Sequence, residues 1–388
     1  MVRMFICACA IVVAVVVTQN VATAERTACP EPRLVSDVQP ALVERTTDSE
    51  LQLVSDSKDS PAIAADTGIA SPQPTAATCG GCQPGCEGSC QGCCDDFCCP
   101  LWTVQADALF FNRSRLPGQT LLVDGNFKPQ FNADQFDLPV QAGWQIDITR
   151  RLNDDWDLEA RYFDVGGQSA ASPTIGSTVG AGVLFGPTPQ GLFFPPLSSN
   201  LTYTSRLQDV ELNARRSLNA CVTVLAGVRY LDLDDRILVS QRTTASGIDA
   251  TQQLDGFNDL LGFQIGGDAV LVQRDRFSLD TGLKAGIYGD HARNFFAYDS
   301  TALGVHGTSG ASASNTAFCG EIGITATYDL TKRLSLRGGY QLLWLDGVAL
   351  ASQQPILNPP PLIHTATSVG TNGDVFYNGA FIGLEYRR

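Results

Sequence analysis

Three sets of residues carry the chemistry this chain could do. The first is a run of eight cysteines, Cys79, Cys82, Cys86, Cys90, Cys93, Cys94, Cys98 and Cys99, within CGGCQPGCEGSCQGCCDDFCCP. The CxxC spacings at Cys79–Cys82 and Cys90–Cys93 suit zinc. The block contains no histidine, however, and the chain opens with an export signal. Disulfides formed in an oxidising compartment are therefore the better reading. The second set is fifteen charged residues that share one strand phase. The acids are Asp107, Asp147, Asp157, Glu159, Asp209, Glu211, Asp268, Asp280, Glu321 and Glu385; the bases are Arg161, Arg215, Arg229, Lys284 and Arg337. If the strands close on themselves, that phase lines the interior. An open acidic interior attracts cations, whereas a filled one pairs its charges across the space. Cys221 and Cys319 fall on the same phase. They open strands of opposite direction, so they are expected at opposite membrane faces, too far apart for a disulfide.

The third set is Asp290-His291 with Asp299, His306 and His364. Aspartate and histidine at an outer rim suggest a surface protease. Adjacent residues on a strand point to opposite faces, which is a poor start for a base and its orienting partner. No nucleophile elbow, phosphate loop or HExxH occurs. The expectation is that the protein is not an enzyme and uses no cofactor or metal.

The elements that must position these residues are read most clearly in Gln135–Val165. There Leu138, Val140, Ala142, Trp144, Ile146 and Ile148 alternate with polar or small residues. A polar turn, Arg150–Asp155, follows, and Trp156, Leu158, Ala160 and Tyr162 then alternate with Asp157, Glu159 and Arg161. A period of two marks a strand with one apolar face, and two such strands around a short turn make a hairpin. The unit recurs through Leu101–Arg388, giving ten strands of 11–15 residues with turns near Leu152, Leu218, Arg274 and Lys332. Longer connections are expected at Asn112–Ala133, Gly166–Asn200, Asp232–Phe257, Gly289–Asn315 and Gly347–Asn372, with a strand extension at Ile237–Gln241.

Composition agrees. The net charge is −14, which excludes the basic footprint of a nucleic-acid binder. Only 17% of the residues are charged and glycine is abundant, at 37 of 388, as suits an all-β chain. Arg3, the apolar run Phe5–Val17 and Ala22-Thr23-Ala24 read as a signal peptide cleaved after Ala24. Residues 25–78 are expected to be a disordered periplasmic linker, residues 79–100 a Cys-rich segment, and residues 101–388 the strand domain. Signal removal takes Cys7 and Cys9 and leaves eleven of the 13 cysteines. That odd number leaves one thiol for a bond to an envelope partner or for none.

Short and long connections that alternate are the mark of an outer-membrane barrel, in which the short turns are periplasmic. Aromatic residues on the apolar face point the same way. Trp102, Trp156, Phe277, Tyr328 and Tyr386 mark the short-turn ends, and Phe110, Tyr162, Tyr230, Phe318, Trp344 and Phe376 the other. Two such belts fit two lipid–water interfaces; a soluble sandwich has no use for them.

The segments DWDLEARYFDV (Asp155–Val165), LQDVELNARRSL (Leu207–Leu218) and VLAGVRYLDL (Val224–Leu233) resemble the pore-forming outer-membrane protein family of the Legionella major outer-membrane protein type. A Cys-rich lead-in followed by LWTVQADALFF (Leu101–Phe111) is similar to members of that family found in planctomycetes. The resemblance implies an outer-membrane barrel with channel or adhesive activity. One departure is that Tyr386 is followed by Arg387-Arg388, where many such barrels end on an aromatic residue.

The expectation is thus an all-β protein: an antiparallel, up-and-down transmembrane barrel of about ten strands in the outer membrane of a Gram-negative-type envelope, its N-terminal segment periplasmic. Its partners would be outer-membrane lipid and disulfide-linked envelope proteins, with no nucleic acid. The lumen would be a narrow, cation-preferring pore for small solutes or ions. The competing reading is a plugged barrel that serves as an envelope anchor or adhesin, since barrels of eight strands are filled and water-filled porins use sixteen to eighteen.

Overall fold

A computed structural model describes residues 100–177, 181–183, 197–243, 249–300, 304–354, 356–357, 365–366 and 368–388. The signal peptide, the linker, the eight cysteines of the Cys-rich segment and His364 lie outside the described residues.

Sixteen strands occur among the described residues. The first three barrel strands are β1 (Trp102–Arg113), β4 (Gln141–Arg151) and β5 (Trp156–Ala171), with β2 (Thr120–Asp124) and β3 (Pro129–Asn132) in the connection between β1 and β4. Two short strands, β6 (Ile175–Ser177) and β7 (Ala181–Val183), precede β8 (Leu197–Ser217) and β9 (Val222–Thr243). Then come β10 (Asp249–Arg274), β11 (Phe277–Ser300), β12 (Val305–Asp329) and β13 (Leu334–Val348). The chain finishes with β14 (Ile356–Leu357), β15 (Thr365–Ala366) and β16 (Gly373–Arg387). The only helices described are two single 3-10 turns, Ala133–Gln135 and Ala351–Gln353.

Ten strands close into one antiparallel barrel in the order β5-β4-β1-β16-β13-β12-β11-β10-β9-β8, and β8 pairs back onto β5. The seam between the first and last strands runs in register from Thr103 opposite Arg387 to Arg113 opposite Tyr377. Closure leaves no unpaired edge, which is what a lipid environment demands of backbone N–H and C=O groups. The four short turns fall where the alternation predicts. In the tightest, Asp275 takes a positive φ of 44° between β10 and β11, a conformation that aspartate tolerates better than most residues.

The outer face carries the apolar belt. Trp102, Trp156, Phe277, Tyr328 and Tyr386 are exposed at the short-turn end, and Phe110 and Tyr230 at the other. Between them Ile146, Leu212, Phe263, Ile265, Ile324 and Ile382 also point outward, Phe263 at 75% exposure. In water such a surface would be a large unpartnered patch; in a bilayer it is the lipid face. Arg150 stacks on Trp102 and Arg216 on Trp156 at the short-turn rim, placing cations at headgroup level.

The strands differ from expectation in length. Those from β8 to β12 run 21–26 residues. The regions Asp232–Phe257 and Gly289–Asn315, expected as long loops, are mostly strand, and their connections shrink to residues 244–248 and 301–304. The cause is a switch of apolar face at the membrane boundary. In β9 the outward residues Val228 and Tyr230 are apolar within the belt. Beyond it the inward residues Leu231, Leu233, Ile237 and Val239 are apolar and buried, while Asp232 and Asp234 face out. Strand β11 does the same, passing from outward Ile287 to inward Tyr288, Ala292 and Phe296. A shift of phase breaks the period-two signal although the strand continues.

Candidate functional site: the barrel lumen

All fifteen residues of the shared charge phase are buried or half-buried, and most of them meet in one lattice. Its centre is Glu321 on β12. Arg161 Nη1, on β5, donates to Glu321 Oε1 at 2.5 Å. These two strands stand five places apart whichever way the barrel is counted, so this ion pair spans its diameter. Arg229 Nη2 on β9 donates to Glu321 Oε2 at 2.9 Å, and Arg229 also pairs with Asp209. Glu211 accepts from Arg161 at 3.2 Å, from Lys284 Nζ at 2.8 Å and from Gln264 Nε2 at 2.7 Å. Glu159 pairs with Arg215, which reaches Asp268 Oδ2 at 2.6 Å. Arg337 bonds to Gln105 and lies 3.5 Å from Asp107.

The remaining predicted charges sit toward the short-turn rim. Asp157 meets Arg151 at 3.8 Å, Asp280 accepts from Ser278, and Glu385 accepts from Gln105 and Arg387. Asp147 accepts from Thr149 Oγ1 at 3.2 Å. On the short-turn side, lined by Glu159, Arg161, Arg215 and Glu321 of the lattice itself, lies a cavity of about 320 Å³. Ala220 and Cys221 in the β8–β9 turn line it, together with Asp147, Asp268, Asp280, Lys284, Arg337 and Glu385.

Above the lattice the lumen becomes apolar. Leu109 and Phe111 of β1, Phe163 of β5, Leu207 of β8, Leu231 of β9, Leu260 of β10, Tyr288 of β11, Leu343 of β13 and Phe381 of β16 form one buried cluster. Cys319 belongs to it as a free, buried thiol. It is therefore not bonded to Cys221, in keeping with their placement near opposite ends. Nine of the ten barrel strands contribute to this layer. Side chains from the wall thus meet across the interior at the level of the upper aromatic belt.

Higher still, outside the membrane, Arg113 Nη1 bonds to Asp235 Oδ1 at 2.7 Å and Tyr203 donates to the same oxygen at 2.6 Å. The Arg113 and Asp235 side chains are 1% and 0% exposed. Arg113 also lies over the rings of Tyr203 and Tyr377. Burial pushes the Asp235 carboxyl up from its usual range, and Arg113 pulls it partly back. Strand phase could have found this pair. Arg113 continues the inward series 107, 109, 111, and Asp235 continues 229, 231, 233. Both lie past the point where the apolar alternation changes sides.

The extracellular extension of the barrel is filled by its own connections. Leu116, Leu121, Leu122, Phe131, Ala133 and Phe136, from the segment between β1 and β4, pack inside against Leu201, Tyr203, Ile237, Val239, Leu254 and Phe296. From the other side, Ala349 exchanges two hydrogen bonds with Asn258, donating N–H to its Oδ1 and accepting from its Nδ2. Gly256 makes this approach possible: a Cβ there would stand 2.7 Å from the Ala349 carbonyl.

The Asp/His candidates do not converge. Asp290 is buried on the inner face with neither carboxylate oxygen partnered, whereas His291 is exposed on the outer face. Asp299 and His306 are register partners on the exposed extensions of β11 and β12. Among the described residues no group of three histidine, cysteine or carboxylate side chains is placed to hold a metal ion.

A closed, ten-stranded barrel with a lipid-facing belt defines an outer-membrane β-barrel protein. Solved structures to which this chain is similar include the outer membrane protease OmpT from Escherichia coli, with 9% identity, a TM-score of 0.37 and coverage of 74% of this chain and 96% of that one. The translocator domain of the autotransporter NalP from Neisseria meningitidis gives 12%, 0.36, and 74% and 88%. Likenesses this distant carry no argument about this chain. Comparison with protein families finds no match, and comparison with curated proteins finds none.

Proposed function

We propose that this protein is an outer-membrane anchor with a closed lumen, holding its N-terminal segment at the periplasmic face, rather than a standing pore. The observation that carries this reading is the ion pair between Arg161 and Glu321, which crosses the full diameter and lies under an apolar layer built by nine strands. A conducting channel needs a continuous polar path, and an interior sealed by paired charges and packed hydrocarbon excludes both water and ions. The short-turn end is periplasmic by the rule for such barrels. The described chain enters there, with Leu101 O accepting from Arg151 N–H at 2.9 Å, which supports a periplasmic position for the Cys-rich segment in this reading. Its disulfides would stiffen the exported segment.

The test is to delete Cys79–Cys99 in cells and to follow the envelope. The barrel is expected to remain in the outer-membrane fraction while the envelope becomes sensitive to detergent and loses its shape. An envelope unchanged in both respects would contradict the anchor reading.

A further inference from the structure

The cavity on the short-turn side is lined by six carboxylates and four basic side chains. All four bases are already engaged. Arg161 holds Glu211 and Glu321, Arg215 holds Glu159 and Asp268, Lys284 holds Glu211, and Arg337 lies 3.5 Å from Asp107. Two acids of the lining have no cation. Asp147 accepts from Thr149 Oγ1 at 3.2 Å and Asp280 from Ser278 Oγ at 3.1 Å, and neither forms an ion pair among the described residues. Asp147 is only 7% exposed, a costly place for a carboxylate supported by one hydroxyl.

The inner end of the same cavity is short of acceptors instead. Gln341 on β13 is 6% exposed, and its Nε2 has no hydrogen-bond partner among the described residues. Arg161 is 5% exposed; its Nη1 donates to Glu211 and Glu321, but its Nη2 has no partner. Both side chains line the cavity. Buried N–H groups are ordinarily satisfied, and a guanidinium N–H is best satisfied by an anionic oxygen.

We propose that this cavity binds a diamino acid, a solute with one carboxylate and two ammonium groups, as in lysine. The carboxylate is held by Gln341 and Arg161 at the inner end, and the ammonium groups by Asp147 and Asp280. Other solutes answer only part of the lining. A simple anion is repelled by the surplus of carboxylates. A diamine compensates the acids and leaves the two donors unmet, and a monoamino acid leaves one acid without a cation. A metal ion has no set of three ligands here among the described residues. At about 320 Å³ the cavity has room for about ten waters, or for a solute of that many heavy atoms. Entry is from the short-turn side, where Ala220 is exposed and Asp280 half-buried on the lining. The apolar layer above the lattice makes the cavity blind, so the solute is held and not passed; to that extent the proposal rests on the closed lumen.

Gly323 supplies a way to fill the cavity without removing a polar group. It lies on the lining of β12, and a Cβ added there would have the Tyr340 carbonyl, at 3.6 Å, as its nearest neighbour. Gly323→Val therefore places its side chain in the space assigned to the solute.

The test is calorimetric titration of the full-length protein in detergent with L-lysine, with cadaverine, which lacks the carboxylate, and with 6-aminohexanoate, which lacks the α-amino group. The expected result is saturable binding of one lysine per chain, with both analogues weaker by about tenfold or more. Asp147→Asn should weaken lysine about tenfold. Gln341→Leu should weaken lysine by a similar factor and leave cadaverine unchanged, a split that general damage to the barrel would not produce. Gly323→Val, shown to be folded by its heat-modifiable migration, should bind no lysine; the analogues and the two point variants decide the matter even where this variant fails to fold. An absence of lysine binding up to about 10 mM would overturn the proposal and leave the cavity to water. Cadaverine bound as tightly as lysine, or lysine binding unchanged in Asp147→Asn and Gln341→Leu, would overturn it as well. The titration is independent of conductance. A barrel that conducts and binds lysine in this pattern would refute the closed lumen and keep the site, and a silent barrel that ignores lysine would do the reverse.

Discussion

Two buried charges outside the membrane show how single residues hold this interior together. Arg113 and Asp235 are both sealed from water, so removing one strands the other. Arg113→Met and Asp235→Leu should each destabilise the barrel by about 3–5 kcal/mol in urea unfolding, and the double variant by clearly less than their sum. Additive losses would mean that the pair is not coupled. Asp290 is the opposite case, a buried carboxylate with no partner, whose acid is pushed up to about 7 by desolvation and by the charge of Asp259. Since its folded value lies above its unfolded one, ionisation works against the fold. Stability should fall as pH rises from about 4 to about 7 and level off above that. Asp290→Asn should remove this slope and add about 1–2 kcal/mol at pH values above about 7.5. A variant whose pH profile overlays the parent would refute the assignment.

At the scale of elements, closure comes from long strands and from connections that fold inward. Gly256→Val should push the Ala349–Leu350 backbone off β10, because the new Cβ would meet a carbonyl at 2.7 Å. Faster proteolysis after Leu350 is the expected sign, and an unchanged rate would show that the contact is dispensable. The barrel hairpins were legible from the sequence because, inside the membrane, lipid selects apolar side chains on one phase only. Strand number, turns and belts all follow from Val222, Val224, Val228 and Tyr230 and their counterparts. Of the extensions of β9 to β12 only Ile237–Gln241 was legible; the rest was not, because above the membrane Leu231, Leu233 and Ile237 carry the core on the opposite phase. The fifteen charges could be assigned to the inside by the same logic. Their pairing could not, since the meeting of Arg161 with Glu321 depends on barrel diameter and stagger, which no local pattern records. Nor does anything in Leu116–Phe136 announce that the segment turns inward.

The whole molecule then reads as three stacked zones inside one wall: a small polar cavity at the periplasmic mouth, a charge lattice through the membrane, and an apolar core under an extracellular cap. An excess of acids on the lumen phase had suggested cation selectivity, but that argument requires water beside the carboxylates. Here Glu211 is held by several cations and shut away from solvent, and Glu321, at the inner end of the cavity, is held by Arg161 and Arg229. Planar-bilayer recording of the purified full-length protein in a KCl gradient tests the seal most directly. The seal predicts a folded, heat-modifiable barrel that inserts and shows no conductance steps. Stable unitary steps with a cation-selective reversal potential would contradict it and establish an open acidic lumen.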